Sequence, residues 1–437
     1  MSETDTTQPA PNLRRRLRAF ATDLAPDLGL ITACLLLIAF GVFLRFNDVN
    51  RPATFIFDEH HFVVNARNYI AGLPDTNDHP PFGKLPVAVS ILLLGDNAFA
   101  WRLTSLAAGI LSIVLAHRLA SHLFRDHRAG WIAAAFVAAD GFFLSYSRIA
   151  LLDGTLAMLM LASALAIVKA TRVWHVAIAS VLVGLAVGVK FSGIVMVPAL
   201  AWVIVARHRT LRWSLPALLL VPLTYVAQFS LGLHLSGRPA GPLAVLNATQ
   251  ALVEHHQALT AMTHPYTSEW FTWLVPTQPI PMIAHAIEGG VRMMTSLGHP
   301  LLWWCVNLTL LVLLVRMPQR LVATLAHRAG VSGPSTPSAF LGPSTPWAWL
   351  ALFWFLPIFP WMVSHRDSYI YHYLPAYGFG LVLAAGLLFS LYRRKPVTAL
   401  VALAAIAIVA AFYAPIWTHL PLTRQAYLLR VPFEMWQ

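Results

Sequence analysis

The sequence predicts an all-α, polytopic membrane protein with about eleven transmembrane helices. Three observations carry that prediction. The chain is 58% hydrophobic and only 11% charged, with a mean hydropathy of +0.65. A soluble domain is about 25% charged, so this chain has too little polar surface to cover a water-facing globule. Apolar runs recur from residue 29 to residue 414, and about 20 such residues span a bilayer as a helix. The short connectors between the runs alternate in character, and that alternation sets a topology.

In chain order the runs lie at 29–45, 103–122, 130–147, 149–168, 174–189, 191–206, 213–235, 297–315, 346–364, 369–391 and 396–414. The basic clusters RRRLR (14–18), FRDHR (124–128), KATR (169–172), RHRTLR (207–212), RMPQR (316–320) and YRRK (392–395) fall on alternate sides of successive runs. They therefore share one side, which the positive-inside rule makes cytoplasmic. The net charge of +12 is then a topology signal and calls for no nucleic-acid partner. Segment 1–28 is expected to be a basic cytoplasmic N-terminus. No small-residue cleavage site follows the first run, so it is read as an uncleaved helix. Cys34 and Cys305 lie inside apolar runs without neighbours at metal-ligand spacing, which suggests neither a disulfide framework nor a zinc site.

The expected organisation is one multispanning membrane domain, 29–414, with two long outer-side connectors at 46–102 and 236–296 and an outer-side tail at 415–437. Long connectors in a compact protein are usually functional. The cytoplasmic connector 317–346 repeats GPSTP twice and is read as a flexible linker.

Ionisable residues concentrate in the first connector. FDEHHF places Asp58 and Glu59 side by side, with His60 and His61 next to them, and NDHPPFGK adds Asp78, His79 and Lys84 around a Pro-Pro turn and Gly83. Two adjacent carboxylates can divide the work: one acts as general base, the other holds a sugar hydroxyl or a cation. Asp140, Arg148, Asp153 and Lys190 lie in or beside apolar runs. Ionisable groups at membrane depth are functional-site candidates by default. Arg148 and Asp153 flank one helix-to-helix turn, where they either pair with each other or face a ligand. Lys190, at the outer end of a run, can meet an anionic headgroup, and the planar fork of Arg102 suits a phosphate. His264, Tyr266, Trp270 and Trp273 in the second connector either form an interfacial belt or stack on a sugar ring. His372 and Tyr373 sit at the outer end of a later run.

Taken together, DEHHF, NDHPPFGK, WRLTSLAAG, SRIALLD, GLAVGVKFSG, HPYTSEWFTW and YHYLPAYGFG follow the order and spacing of the protein O-mannosyltransferases. The resemblance runs from about residue 40 to about 420. It implies the multispanning GT-C glycosyltransferase fold and transfer of mannose from a polyprenyl-phosphate donor to Ser or Thr hydroxyls of secreted or membrane proteins, on the non-cytoplasmic face of a bacterial cytoplasmic membrane. It maps the acidic pair onto Asp58 and Glu59, the motif histidine onto His61, HPP-x-GK onto His79 and Lys84, and the arginine of the second span onto Arg102. Arg148 and Asp153 fall at its SR-x-x-LLD motif. The chain departs at Asn77, where family members commonly carry Asp, and its second connector is too short for the soluble domain of larger members.

The expected chemistry follows from the donor. A phosphate leaving group needs electrostatic stabilisation and not a proton, for which Arg102 comes first, then Lys84 and Lys190. The acceptor hydroxyl needs a base, assigned to Asp58, and direct displacement inverts the anomeric carbon. Glu59 is expected to orient acceptor or sugar. The sequence requires no cofactor, although a divalent metal at Glu59 with a nearby histidine is compatible with the pattern. The alternatives are the same fold with another sugar or a lipid or glycan acceptor, a non-catalytic lipid-sugar binding protein, and, more distantly, a transporter. A transporter calls for inverted repeats or paired broken helices, and neither is evident in the sequence.

Overall fold

The computed structural model describes residues 13–76, 78–207, 211–258, 264–328, 345–364, 366–433 and 436, with backbone alone for 13–26 and 317–328. Asn77 and most of the expected linker lie outside the described residues. Helices α1 (Leu13–Phe46), α2 (Glu59–Ala71), α3 (Leu85–Leu94), α4 (Ala98–Phe124), α5 (His127–Ala139), α6 (Gly141–Ser147), α7 (Leu152–Lys169), α8 (Val173–Val189) and α9 (Val197–Ala206) form the first part. Helices α10 (Leu220–Leu235), α11 (Pro242–Ala258), α12 (Pro300–Arg328), α13 (Pro346–Val363), α14 (Leu374–Tyr392), α15 (Pro396–Trp417) and α16 (Arg424–Arg430) complete it. Among the described residues, seven helices are long and apolar enough to cross a membrane, or eight if the bent pair α5–α6 is one span. Three expected runs, 174–189, 191–206 and 297–315, appear as shorter apolar helices, and a further one, Pro81–Leu94, lies inside the first connector.

The bend between α5 and α6 is 63° and has a visible cause. A broken helix in an apolar medium must find partners for its freed backbone groups. Arg45 donates to the carbonyls of Val137 and Ala138 at the end of α5, at 3.0 and 2.8 Å. Asp140 caps α6: its Oδ1 accepts from the Phe143 amide at 2.9 Å, and its Oδ2 accepts from the His299 amide and the Tyr377 hydroxyl, both at 3.0 Å. Asp140 therefore has structural work at the centre of the bundle.

The all-α expectation needs one addition. Strands β1 (Pro281–Ile287), β2 (Gly290–Thr295) and β3 (Pro421–Thr423) form an antiparallel sheet in the order β1-β2-β3. It joins the second connector to the C-terminal tail. Gly289 occupies the hairpin turn at φ +71°, a conformation that favours glycine. The main core packs α1, α4, α5, α7, α8 and α14 together, and the first connector folds over one end of it as α2 and α3.

Candidate active site

Asp58 stands at the N-cap of α2, yet its carboxylate makes no capping bond. Among the described residues it has no hydrogen-bond or ion-pair partner. Burial pushes its carboxyl above the ordinary range, and Asp153 adds to this, while His61 and Lys190 oppose it. Those same residues define its surroundings. Lys190 Nζ lies 2.8 Å from Asp153 Oδ1 and 5.1 Å from the centre of the Tyr371 ring. The Asp153–Lys190 pair lines a pocket with Leu156, Met160, Trp361 and His372, where His372 stacks on Trp361 with ring centres 3.7 Å apart. An ammonium group has three N–H donors, so the single bond to Asp153 leaves Lys190 with capacity for an anion.

Arg148 and Asp153 do not pair. Arg148 caps the C-terminal end of α1, donating to the carbonyls of Leu44, Arg45 and Asn47, where a cation favours both the unpaired carbonyls and the helix dipole. Its other expected role, facing a ligand, is corrected to this structural one.

Glu59 and Arg102 are corrected in the same way. Both are fully buried. Glu59 Oε1 accepts from Arg102 Nε at 2.8 Å and from the Ala150 amide at 2.8 Å; Oε2 accepts from Arg102 Nη2 at 2.9 Å and from the Ile56 amide at 2.9 Å. The remaining Arg102 donors reach the carbonyls of Val49, Pro52 and Thr54 at 2.8, 3.0 and 3.1 Å. A guanidinium has five N–H donors and a carboxylate about four acceptor sites, so neither group has room for a phosphate, a sugar or a metal ion. Among the described residues, no three His, Cys, Asp or Glu side chains converge as a metal site.

Lys84 also has a structural partner. Its ammonium meets Asp75 Oδ2 at 2.8 Å in a buried pair, and the same oxygen accepts from the Tyr69 hydroxyl at 2.6 Å. Burial raises the Asp75 carboxyl, but Lys84, Tyr69 and Arg238 together hold it below its usual value. At Gly83 a Cβ would stand 2.6 Å from Leu152 Cδ2, so glycine permits close packing onto α7. This cluster fixes the turn that carries His79. Removing one partner of a buried ion pair costs about 3–5 kcal/mol. Asp75→Ala is therefore expected to lower stability by that amount in detergent denaturation, and Lys84→Met in the same chain to restore part of it.

His79 is held neutral, well below its usual pKa, by burial and then by Lys190, His256, Lys84 and Arg366. His256 on α11 faces it, ring centres 5.4 Å apart, with its own pKa lowered to about 4 by burial, Arg366, His255 and Lys190. Arg366, whose charge helps to hold both histidines neutral, is a cation that the sequence reading missed. Among the described residues, its guanidinium has no hydrogen-bond or ion-pair partner. The signal was present in SHRDS, a charged pair directly after an apolar run. The sequence reading also passed over Tyr371 and Tyr146.

The second connector reaches the same end of the bundle. Ser268 and Ser368 exchange hydrogen bonds at 2.8 and 2.7 Å, stitching HPYTSEWFTW to the segment that leads into α14. His264 packs against Tyr369 at 5.7 Å and against Tyr266 at 5.5 Å, and Asp58's field reaches Tyr369. Trp270 is half-buried beside them. Trp273 and Tyr373 are fully buried: the Trp273 indole bonds Ser268 and the Tyr373 hydroxyl accepts from Trp354 at 3.1 Å. These two support His372 from behind and do not line the cleft.

Two family models match the chain in tandem. The model described as dolichyl-phosphate-mannose-protein mannosyltransferase matches residues 78–231, and the C-terminal four-transmembrane region of protein-O-mannosyltransferase matches 244–436. The chain belongs to the protein O-mannosyltransferase family. This membrane glycosyltransferase is 27% identical over 356 residues to a polyprenol-phosphate-mannose–protein mannosyltransferase of Mycobacterium tuberculosis, covering 63% of this chain and 68% of the relative. A shorter match, 30% identical over 131 residues, covers 28% of this chain and 24% of an undecaprenyl phosphate-alpha-4-amino-4-deoxy-L-arabinose arabinosyl transferase of Pseudomonas aeruginosa. In fold, the transferase superimposes on a chain of the Saccharomyces cerevisiae protein O-mannosyltransferase Pmt1-Pmt2 complex with a TM-score of 0.73 at 13% identity, covering 92% of each chain. The GT-C fold expected from the sequence is thus the observed one.

Proposed function

We propose that the chain transfers mannose from a polyprenyl-phosphate mannose donor to Ser or Thr hydroxyls of protein acceptors on the non-cytoplasmic face of the membrane. The observation that carries this reading is the unpartnered, part-buried carboxylate of Asp58 beside Lys190, Asp153 and His61. In the proposed step, Asp58 takes the proton of the acceptor hydroxyl as its oxygen attacks the anomeric carbon. The bond from that carbon to the phosphate oxygen breaks, the anomeric centre inverts, and polyprenyl phosphate leaves. Lys190 and Arg366 hold the phosphate, with neutral His79 and His256 as hydrogen-bonding neighbours. This replaces the phosphate roles first expected for Arg102 and Lys84, because those cations already have buried partners. His264, Tyr266 and Trp270 are placed at the acceptor side of the cleft. The lipid tail lies in the bilayer, which keeps the reacting phosphate at the interface.

The partial match to an arabinosyl transferase supports a second reading: the same lipid-phosphate chemistry with another sugar or a lipid acceptor. One assay separates the two. Purified protein in liposomes is given polyprenyl-phosphate mannose and a Ser/Thr-rich peptide, and products are resolved by mass spectrometry. Mannosyl peptide is the expected product. Donor consumption that requires a lipid or glycan acceptor would move the acceptor and keep the mechanism; no consumption of any polyprenyl-phosphate sugar would overturn the transferase reading.

A further inference from the structure

We infer that the Tyr146 hydroxyl reads one hydroxyl group of the transferred hexose, which makes Tyr146 a sugar-specificity residue. The inference rests on the transferase reading above. Tyr146 lies on α6 and is 1% exposed, its ring set edge-on to Phe142 with centres 5.2 Å apart. Its hydroxyl is buried and, among the described residues, has no hydrogen-bond partner. The neighbouring hydroxyls are satisfied: Ser145 donates to the Thr295 carbonyl at 2.9 Å, and Ser147 donates to the Phe143 carbonyl. A buried hydroxyl left unpaired costs about 1–3 kcal/mol, so its retention beside two satisfied serines points to a partner that arrives from outside.

The surroundings indicate which partner. The ionisable groups whose fields reach the Tyr146 hydroxyl are Asp153, Tyr371 and Asp58, all members of the site. None of them bonds to it. A phenol near two carboxylates is a donor among acceptors, and a sugar hydroxyl both accepts and donates. Such a group can accept from Tyr146 while donating to Asp153. Asp153 opens onto the small pocket with Leu156, Met160 and His372. The Tyr146 backbone packs against α7 next to Asp153: a Cβ at Gly154 would stand 3.2 Å from the Tyr146 carbonyl oxygen.

Tyr146→Phe removes the oxygen alone. Thermal stability is expected to hold or rise, because an unpartnered buried polar group is lost. The kcat/KM for polyprenyl-phosphate mannose is expected to fall about tenfold, within the range of one substrate hydrogen bond, with the peptide KM unchanged. Monodeoxy-mannosyl donors supply the decisive readout. The unmutated protein should discriminate against one of them, and Tyr146→Phe should lose that discrimination at the same sugar position. An active unmutated protein whose Tyr146→Phe variant keeps the same donor kcat/KM within twofold, or keeps every deoxy-sugar preference, overturns this inference alone. A fall in melting temperature that accounts for the lost activity does so too, since it makes the hydroxyl structural. An unmutated protein that consumes no hexosyl lipid overturns the transferase reading and this inference with it.

Discussion

Asp58→Asn is expected to lower glycosyl transfer by about 10²–10⁴-fold, the usual contribution of a positioned general base. The folded protein should survive the change. Among the described residues the Asp58 carboxylate caps no amide and pairs with no cation, so an amide of the same shape breaks no hydrogen bond there. Melting temperature and binding of the lipid donor are therefore expected to match the unmutated protein. The pH profile gives an independent check. A base works in its deprotonated form, and burial raises this carboxyl above the ordinary carboxylate value, which is about 3.9 for Asp. The rate should fall as pH drops through that raised pKa, so the acid limb should lie above the range of an ordinary aspartate. Lys190 opposes the shift, so Lys190→Met should move the limb further up in pH as well as weakening the donor. Full turnover by Asp58→Asn, or an acid limb that ignores Lys190, would remove Asp58 as the base.

How much of this was legible in the sequence depends on the kind of information each feature needs. Apolar runs report themselves, and each expected run corresponds to an apolar helix in chain order. The break at Asp140 did not, because hydropathy runs through it without a gap; the break depends on Arg45 and His299, which are remote in sequence. The β1–β2 hairpin carried only a weak signal, the EGG turn at 288–290 between short alternating segments, and its third strand comes from the tail. Charges in apolar surroundings were visible, so Asp58, Asp153 and Lys190 were found. Their pairing was not. Arg102 and Glu59 stand 43 positions apart, and only the fold reveals that they satisfy each other. A cation matched to a partner and a cation waiting for a phosphate look alike in sequence. The same limit assigned a donor role to Lys84 and overlooked Arg366.

Arg102→Ala is expected to act through folding and not through donor affinity. The substitution leaves Glu59 fully buried with its charge uncompensated, and breaking a buried pair from one side costs about 3–5 kcal/mol. It also frees the carbonyls of Val49, Pro52 and Thr54. Low yield of folded protein and activity lost in proportion to that yield should follow. Arg102→Lys should not rescue it, since an ammonium lacks the fork that serves a carboxylate and three carbonyls together. The joint variant Arg102→Met with Glu59→Gln removes both charges and should recover part of the stability, measured by thermal unfolding in detergent. A phosphate ligand would give the opposite pattern: unchanged melting temperature, weaker donor binding and no recovery from the second substitution. The recovered protein should still transfer slowly. Glu59 ties the turn at Ile56 to the amide of Ala150, and Ala150 lies three positions before Asp153. That tie joins the segment carrying Asp58 to the one carrying Asp153, the partner of Lys190. With it loosened, the proposed base and the lysine proposed to hold the phosphate are expected to keep their chemistry but lose their registration, and effective attack requires both at once.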